Sequence, residues 1–180
     1  LGAVALAQGR PAEAAERFAE ALARAPNSPG LLVGLASAHQ ARGRRAEAVQ
    51  AYRQALEAAP GDVRALNNLA WLLAEEPARH AEALRLAEQA LAADPGNGRV
   101  LDTLGWIHYL QGALPEAERR LRAAAEALPR EPLVQYHLGL LAARQGRTAE
   151  AATALRRSLL LDHGFSEAAA ARRLLEELEG

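Results

Sequence analysis

The stretch Asn-Asn-Leu-Ala-Trp at residues 67–71 is followed, 35 residues on, by a close copy, Asp-Thr-Leu-Gly-Trp at residues 102–106. The similarity extends beyond these stretches, because Glu82-Ala83 and Pro95 each have a counterpart 34 residues later. A fixed period of about 34 residues that contains two apolar helical segments is typical of helix–turn–helix repeats that stack into a solenoid. The stretch therefore predicts an all-α fold made of repeated helix pairs.

The composition agrees with a helical class and argues against several kinds of ligand. Half of the 180 residues are apolar, all 21 basic residues are Arg, and the net charge is −1. Abundant Ala, Leu, Glu and Arg favour helices, whereas mixed charges close to neutrality do not predict binding to nucleic acid or to an anionic membrane surface. The chain has no Cys, which excludes disulfides and thiolate metal sites, and no apolar run of the ~18 residues that a membrane span needs.

The compartment is not predicted, since the absence of Cys suits the cytoplasm and the periplasm alike. The chain contains no Met and begins inside a helical pattern, so we interpret it as an excised fragment, which leaves open whether a targeting segment preceded it.

Five successive copies of the repeat place the same residue types at the same positions. A leucine and a small residue recur together at 1–2, 35–36, 69–70, 104–105 and 138–139. A glycine able to adopt positive φ is expected to end the first helix at Gly9, Gly43, Gly112 and Gly146. A Glu-Ala pair opens the second helix, and a proline follows that helix at Pro26, Pro60, Pro95 and Pro129.

These residues, at these spacings, resemble the tetratricopeptide repeat over almost the whole chain. The resemblance implies a right-handed superhelix of about five helix pairs in a single domain, 1–180. Its repeats are predicted at 1–28 (incomplete), 29–62, 63–97, 98–131 and 132–165, followed by a capping helix at 166–179. The third repeat departs from the pattern, because Glu76-Pro77 replaces the glycine and adds one residue. Its first helix is expected to end by Glu75 or Glu76, before a longer turn.

The resemblance also implies a partner-binding surface, because in this family the first helices line a concave groove. Both Trp and two of the three Tyr residues fall on first-helix positions of the third to fifth repeats, and such clusters of aromatics mark recognition surfaces. The alternative is that the Trp rings pack against neighbouring helices. The candidate peptide- or partner-binding residues are Arg64, Asn67, Asn68, Trp71, Arg99, Asp102, Trp106, Tyr109, Tyr136 and Leu140.

Asn68 resembles part of the carboxylate clamp that some members of the family use for chaperone tails, but Val33, Ser37 and Thr103 stand where the other clamp residues are expected. The clamp is therefore not assembled. Asn67, Asn68 and Asp102 remain candidates for hydrogen bonds to an extended peptide backbone, against the alternative that they fill a helix surface.

The sequence predicts a non-catalytic protein-interaction scaffold without cofactor or metal. Its five His residues share no metal-ligand spacing, and no nucleophile or phosphate-loop motif occurs. Two alternatives stay open: a module that self-associates through an uncapped N-terminal end around Val4, Leu6 and Phe18, and a regulatory or targeting arm of a larger enzyme or export machinery. The stretches 67–71 and 102–106 also resemble bacterial tetratricopeptide proteins of exopolysaccharide or exosortase-type export systems.

Overall fold

The computed structural model describes residues 1–180 and contains eleven α-helices, one short 3₁₀ helix and no strand. The α-helices are α1 (Gly2–Ala7), α2 (Pro11–Leu22), α3 (Pro29–Ala41), α4 (Arg45–Ala58), α5 (Val63–Ala74), α6 (His80–Ala93), α7 (Gly98–Gln111), α8 (Leu114–Ala127), α9 (Pro132–Arg144), α10 (Thr148–Leu161) and α11 (Ala168–Glu179).

The chain divides into two compact units, Leu1–Asp94 and Pro95–Gly180, called unit 1 and unit 2 below. Unit 1 contains α1 to α6, and unit 2 contains α7 to α11; within each unit every helix packs on the next one in the chain. The predicted helix pairs are α1–α2, α3–α4 and α5–α6 in unit 1, and α7–α8 and α9–α10 in unit 2. The grouping of all five pairs into a single domain stays a prediction.

Several helices begin at capping residues or end at glycines of the sequence. Gly9, Gly43, Gly112 and Gly146, the four glycines expected to end first helices, are the four residues with positive φ, between 68° and 78°. This conformation is costly for residues with a Cβ, so glycine at these turns is a requirement of the backbone. At the other end, the side chains of Asp62 and Asn97 accept hydrogen bonds from the first free N–H groups of α5 and α7.

The small residues of the repeat lie where helices approach most closely. A Cβ added to Gly105 would lie 2.6 Å from Cγ of Leu121, and one added to Gly139 would lie 2.8 Å from the side chain of Leu155. Both contacts join the first and second helices of a pair, and both are too short for a real Cβ. The predicted register of the repeats is therefore visible in the packing of unit 2.

The irregular third repeat has the expected longer turn. Helix α5 ends at Ala74 and a 3₁₀ turn at Pro77–Arg79 leads into α6. Arg45 donates to the carboxylates of Glu75 and Glu76 and to the carbonyl of Leu72, which ties α4 to the end of α5. The positive guanidinium lies at the negative end of the helix dipole, so this arginine is placed where it stabilises the early helix end.

Both ends of the chain differ in detail from the sequence-based expectations. Phe18 was expected to lack neighbours, but it is only 9% exposed and packs with Ala5, Ala14, Ala15 and Ala38. The expectation was wrong because Gly2 and Gly34 have no side chains and leave space for the ring. The capping helix begins at Ala168, two residues later than predicted, and packs on α10.

Candidate partner-binding surfaces

A row of stacked side chains runs along α7 and α9 in unit 2. The rings of Trp106 and Tyr109 are 5.1 Å apart with 15° between their planes, and those of Trp106 and His137 are 4.6 Å apart with 16°. The guanidinium of Arg144 lies 5.0 Å from the centre of the Tyr109 ring and also donates to the Tyr109 carbonyl at 2.7 Å. Trp106 and Tyr109 are half-buried, so part of this row, called the aromatic row below, stays accessible to a partner.

The aromatic row is anchored by a buried pair of polar side chains. Nδ1 of His137 donates to Oδ1 of Asp102 at 2.8 Å, and the two side chains are 2% and 8% exposed. A carboxylate only accepts hydrogen bonds, so this contact places the imidazole hydrogen on Nδ1. The expectation that Asp102 is available to a peptide backbone therefore needs correcting, because its carboxylate is buried and already accepts a hydrogen bond from His137.

Tyr136 also lies deeper than the sequence suggested. It is 9% exposed and meets the ring of Phe165 edge-on at 6.0 Å, within a cluster that includes the half-buried Leu140. Burial raises the pKa of the Tyr136 hydroxyl, with a smaller contribution from the charge of Glu167. The expectation of an open aromatic anchor at Tyr136 is corrected, because the segment that leads into α11 covers it.

Two exposed arginines lie on the helices that carry the aromatic row. Arg99, at the start of α7, and Arg144, at the end of α9, are both exposed. Asp102 is the one acidic residue among the candidate binding residues, and its carboxylate is buried against His137. The accessible part of this surface therefore combines partly open aromatic rings with two guanidinium groups.

In unit 1, the hydroxyl of Tyr52 is the centre of a hydrogen-bond network that includes Asn68. It donates to Oε1 of Gln40 at 3.1 Å and accepts from Nδ2 of Asn68 at 3.1 Å, with Oγ of Ser37 also 3.1 Å away. The Tyr52 side chain is fully buried, and burial raises the pKa of its hydroxyl, although the bonds to Ser37 and Asn68 lower it in part. The amide of Asn68 is thus committed to joining α5 to α4.

The remaining candidates of unit 1 differ in accessibility. Arg64 is exposed and lies 3.4 Å from the carboxylate of Asp62, whereas Asn67 and Trp71 are half-buried. Nδ2 of Asn67 is 3.5 Å from Oδ1 of Asn68, and Oδ1 of Asn67 is shielded from solvent. Arg64 is therefore the most accessible binding candidate of this unit, and Trp71 offers a half-buried ring.

Two glutamates on second helices hold neighbouring repeats together through arginines. Glu118 accepts from Arg122, Gln145 and Arg147, and these hydrogen bonds, led by that from Arg122, lower the pKa of its carboxyl to about 2. In unit 1, Glu82 accepts from Arg79 and Arg53, and its pKa is also lowered, mainly by Arg79. These carboxylates serve packing between repeats.

Sequence reasoning missed the Asp102–His137 pair and the network around Tyr52. A usable signal was present for the first, because Asp102 and His137 are 35 residues apart, as are Tyr109 and Arg144. A separation of one period plus one residue places side chains at adjacent positions of successive first helices, where they can touch. For Tyr52 the aromatic position was recognised, but nothing in the pattern showed which polar groups its hydroxyl would meet.

The structure contains no group of three or more His, Asp and Glu side chains arranged to hold a metal ion. None of its helices combines the length and the apolar character required to span a membrane.

Comparisons with known proteins agree with this architecture. Models of the tetratricopeptide repeat match residues 5–72, 72–142 and 133–159, while no curated protein matches the sequence. A thermophilic TPR protein of Thermus thermophilus is similar in structure, with a TM-score of 0.83 and 22% identity over 99% of this chain and 95% of that one. MamA 41-end from Desulfovibrio magneticus gives a TM-score of 0.71 and 22% identity, over 92% and 93% of the two chains.

A third similar structure is YrrB, a TPR protein with an unusual peptide-binding site, with a TM-score of 0.64 and 17% identity over 96% of this chain and 88% of that one. At these identities, the three structures show a shared fold. The predicted all-α class and the tetratricopeptide helix pairs are confirmed. With family matches that run from residue 5 to residue 159, the chain belongs to the tetratricopeptide repeat family.

Proposed function

We propose that this protein is a non-catalytic scaffold that binds a peptide or protein segment along the aromatic row of unit 2. The tetratricopeptide fold generally serves protein–protein interaction, and proteins of this fold are generally non-catalytic. One similar structure is described as having an unusual peptide-binding site. The partner is therefore expected to be a protein or peptide, and the finer question is which surface it contacts.

The observation that carries the proposal is the half-buried Trp106 ring stacked with Tyr109 and His137. A ring fixed by stacking on its own protein loses little conformational freedom when a partner covers it, so it offers contact area at low entropic cost. The exposed guanidinium groups of Arg99 and Arg144 lie on the same two helices and are suited to carboxylates of the partner. In unit 1, Arg64 offers an exposed guanidinium and Trp71 offers an aromatic ring.

The test is affinity capture from a lysate of the source organism, comparing the natural protein with Trp106→Ala. Truncating a central aromatic anchor typically costs about 2 kcal/mol or more, which is roughly thirtyfold in affinity. The matched control is Arg119→Ala, an exposed change on second helix α8. Circular dichroism establishes that each variant is folded. Unchanged capture by folded Trp106→Ala, or an equal loss for Arg119→Ala, contradicts the proposal.

Self-association through α1 is a second candidate, favoured by one specific observation. Val4 is 55% exposed and Leu1 is 94% exposed. A cavity of about 360 Å³ beside them is lined in part by Phe18 and Leu31. Apolar surface of this kind is stabilised when a second copy, or a segment of a longer chain ahead of Leu1, covers it. Sedimentation over a range of concentrations tests this candidate: a dimer that Val4→Glu dissociates supports it, and a monomer at all concentrations contradicts it.

A further inference from the structure

Unit 2 contains a cavity that is separate from the aromatic row. Its volume is about 250 Å³, and it opens between α8, α9 and α10. Four of its lining residues come from the second helices of their pairs, and the two from α9 are not among the candidate binding residues predicted from the sequence. The lining residues are Arg122, Ala125, Glu126, Gln135, Leu138 and Arg157.

Gln135 has an unusual environment in this cavity. The residue is only 5% exposed, yet its side-chain amide makes no hydrogen bond with another protein group. Its oxygen and nitrogen are not among the side-chain polar atoms that are both sealed from solvent and without a hydrogen-bond partner, which belong to His39, Asn67 and Arg120. The unpaired amide therefore keeps some contact with solvent, and the residue that carries it lines the cavity. A nearly buried amide without a protein partner leaves one donor and one acceptor group ready for a ligand.

The two arginines of the cavity are in different electrostatic situations. Arg122 is neutralised by Glu118 at 2.7 Å and by Glu150 at 3.0 Å. Arg157 donates to the carbonyl of Pro129 at 3.2 Å and forms no ion pair with a carboxylate within 4.0 Å. A carbonyl accepts a hydrogen bond but does not neutralise the charge, so Arg157 retains a positive charge and free N–H donors at the edge of the cavity.

We propose that this cavity binds a carboxylate group carried by a peptide, with Arg157 and Gln135 as its principal contacts. The guanidinium of Arg157 pairs with the carboxylate, since charge-assisted N–H···O bonds are the strong ones. The Gln135 amide donates to the same carboxylate and accepts from a neighbouring peptide N–H, which leaves neither of its groups unpaired. Glu126 accepts a further peptide N–H, whereas Leu138 and Ala125 contact apolar atoms of the ligand. A ligand bound in this way pairs the oxygen and the nitrogen of the Gln135 amide and neutralises the charge of Arg157.

The experiment measures binding of three acetylated peptides to the full chain labelled with ¹⁵N. The first peptide has one internal Glu and an amidated end, the second has Gln in place of that Glu, and the third has Gln and a free C-terminal carboxylate. The first and third peptides separate a side-chain carboxylate from a terminal one, and the second is the uncharged control. The signal followed is the side-chain NH₂ resonance of Gln135, together with the backbone amides of residues 122–126 and 157.

A saturable shift of the Gln135 NH₂ resonance with at least one of the two charged peptides, and none with the uncharged peptide, is the expected result. Gln135→Met, which keeps the volume and removes the amide, and Arg157→Gln should each weaken binding about tenfold, the usual loss for a hydrogen bond to a charged group. The control variant Arg156→Gln changes the neighbouring exposed arginine, which pairs with Glu179, and should bind normally.

The proposal is overturned if none of the peptides shifts Gln135 at millimolar concentration, or if all three shift it equally. It is also overturned if the largest resonance shifts are those of Trp106 and Tyr109. The same holds if Arg156→Gln weakens binding as much as Arg157→Gln does. Trp106→Ala is expected to leave this binding unchanged, so failure of the aromatic row as a partner surface and failure of this cavity are separate results.

Discussion

Nδ1 of His137 and Oδ1 of Asp102 are 2.8 Å apart, and this hydrogen bond joins two successive first helices of unit 2, α7 and α9, in an almost fully buried position. Trp106 stacks on the same imidazole, so the pair fixes the orientation of the ring on which the aromatic row depends. A polar contact whose only effect was on solubility would be exposed, whereas this pair is buried. This contact instead links repeat packing to the proposed binding surface.

Asp102→Ala is expected to destabilise the protein by about 1–3 kcal/mol, because it removes the buried carboxylate that accepts the Nδ1–H of His137. Urea unfolding of Asp102→Ala, His137→Ala and the double variant measures the coupling between the two residues. The double variant should lose less than the sum of the single losses. Strictly additive losses would show that the two side chains do not stabilise one another.

Gly105→Ala is expected to lower the free energy of unfolding by about 1–3 kcal/mol, the usual cost of overpacking a filled site. Its new Cβ would lie 2.6 Å from Cγ of Leu121 and 3.1 Å from the backbone nitrogen of the same residue. Gly30→Ala is the matched control, since no atom lies within 4 Å of its added Cβ, and it should be neutral or slightly stabilising. Equal melting temperatures for the two variants would argue against the close α7–α8 crossing.

Acid should weaken the attachment between the last two repeats of unit 2 through Glu118. Its folded-state pKa of about 2 lies below the ordinary value of 4.5, so the ionised carboxylate stabilises the fold above about pH 4.5, and this contribution is lost as the pH falls toward 2. Glu118→Gln should be less stable than the natural protein at neutral pH and should lose less stability between these two pH values. Parallel stability curves for the two proteins would contradict the assignment.

Tyr52→Phe is expected to destabilise unit 1 by about 1–2 kcal/mol, because Asn68, Gln40 and Ser37 lose their common hydroxyl partner. The pKa of this hydroxyl is raised above 10.0, chiefly by burial, so the fold favours its neutral form. That contribution is complete below pH 10 and decreases as the pH rises through the higher folded-state value. Alkaline unfolding curves should therefore converge for the two proteins at high pH, and a constant difference would contradict the prediction.

The repeat architecture could be predicted because it depends on local requirements of the backbone. Gly112 and Gly146 were assigned to helix ends from spacing alone, and their φ values of 78° and 74° are those that the turn demands. Gly105 and Gly139 stand at the recurring small position of the repeat, and only residues with small side chains allow two helices to approach closely. Their contacts with Leu121 and Leu155 show that this position lies at a helix crossing. At each of these positions, the requirement for glycine arises from contacts or turns within a single helix pair.

The candidate surface was only partly predictable, because side-chain exposure depends on residues about one repeat away. Trp106 and Tyr109 lie on one accessible row as expected, but Asp102 and Tyr136 from the same set of positions are covered by His137 and Phe165. A repeat pattern gives every first helix the same inward positions and does not show which of them finds a partner on the next helix.

The sequence by itself determined the helix pairs, their boundaries and the register in which they pack, since the 34-residue period, the glycines and the prolines act on the chain locally. Only the tertiary structure decided which polar groups are buried in pairs, such as Asp102 with His137, and which remain available, such as the amide of Gln135. The physical reason is that burying a polar group is costly without a partner, and the partner is supplied by packing between helices that are distant in the sequence.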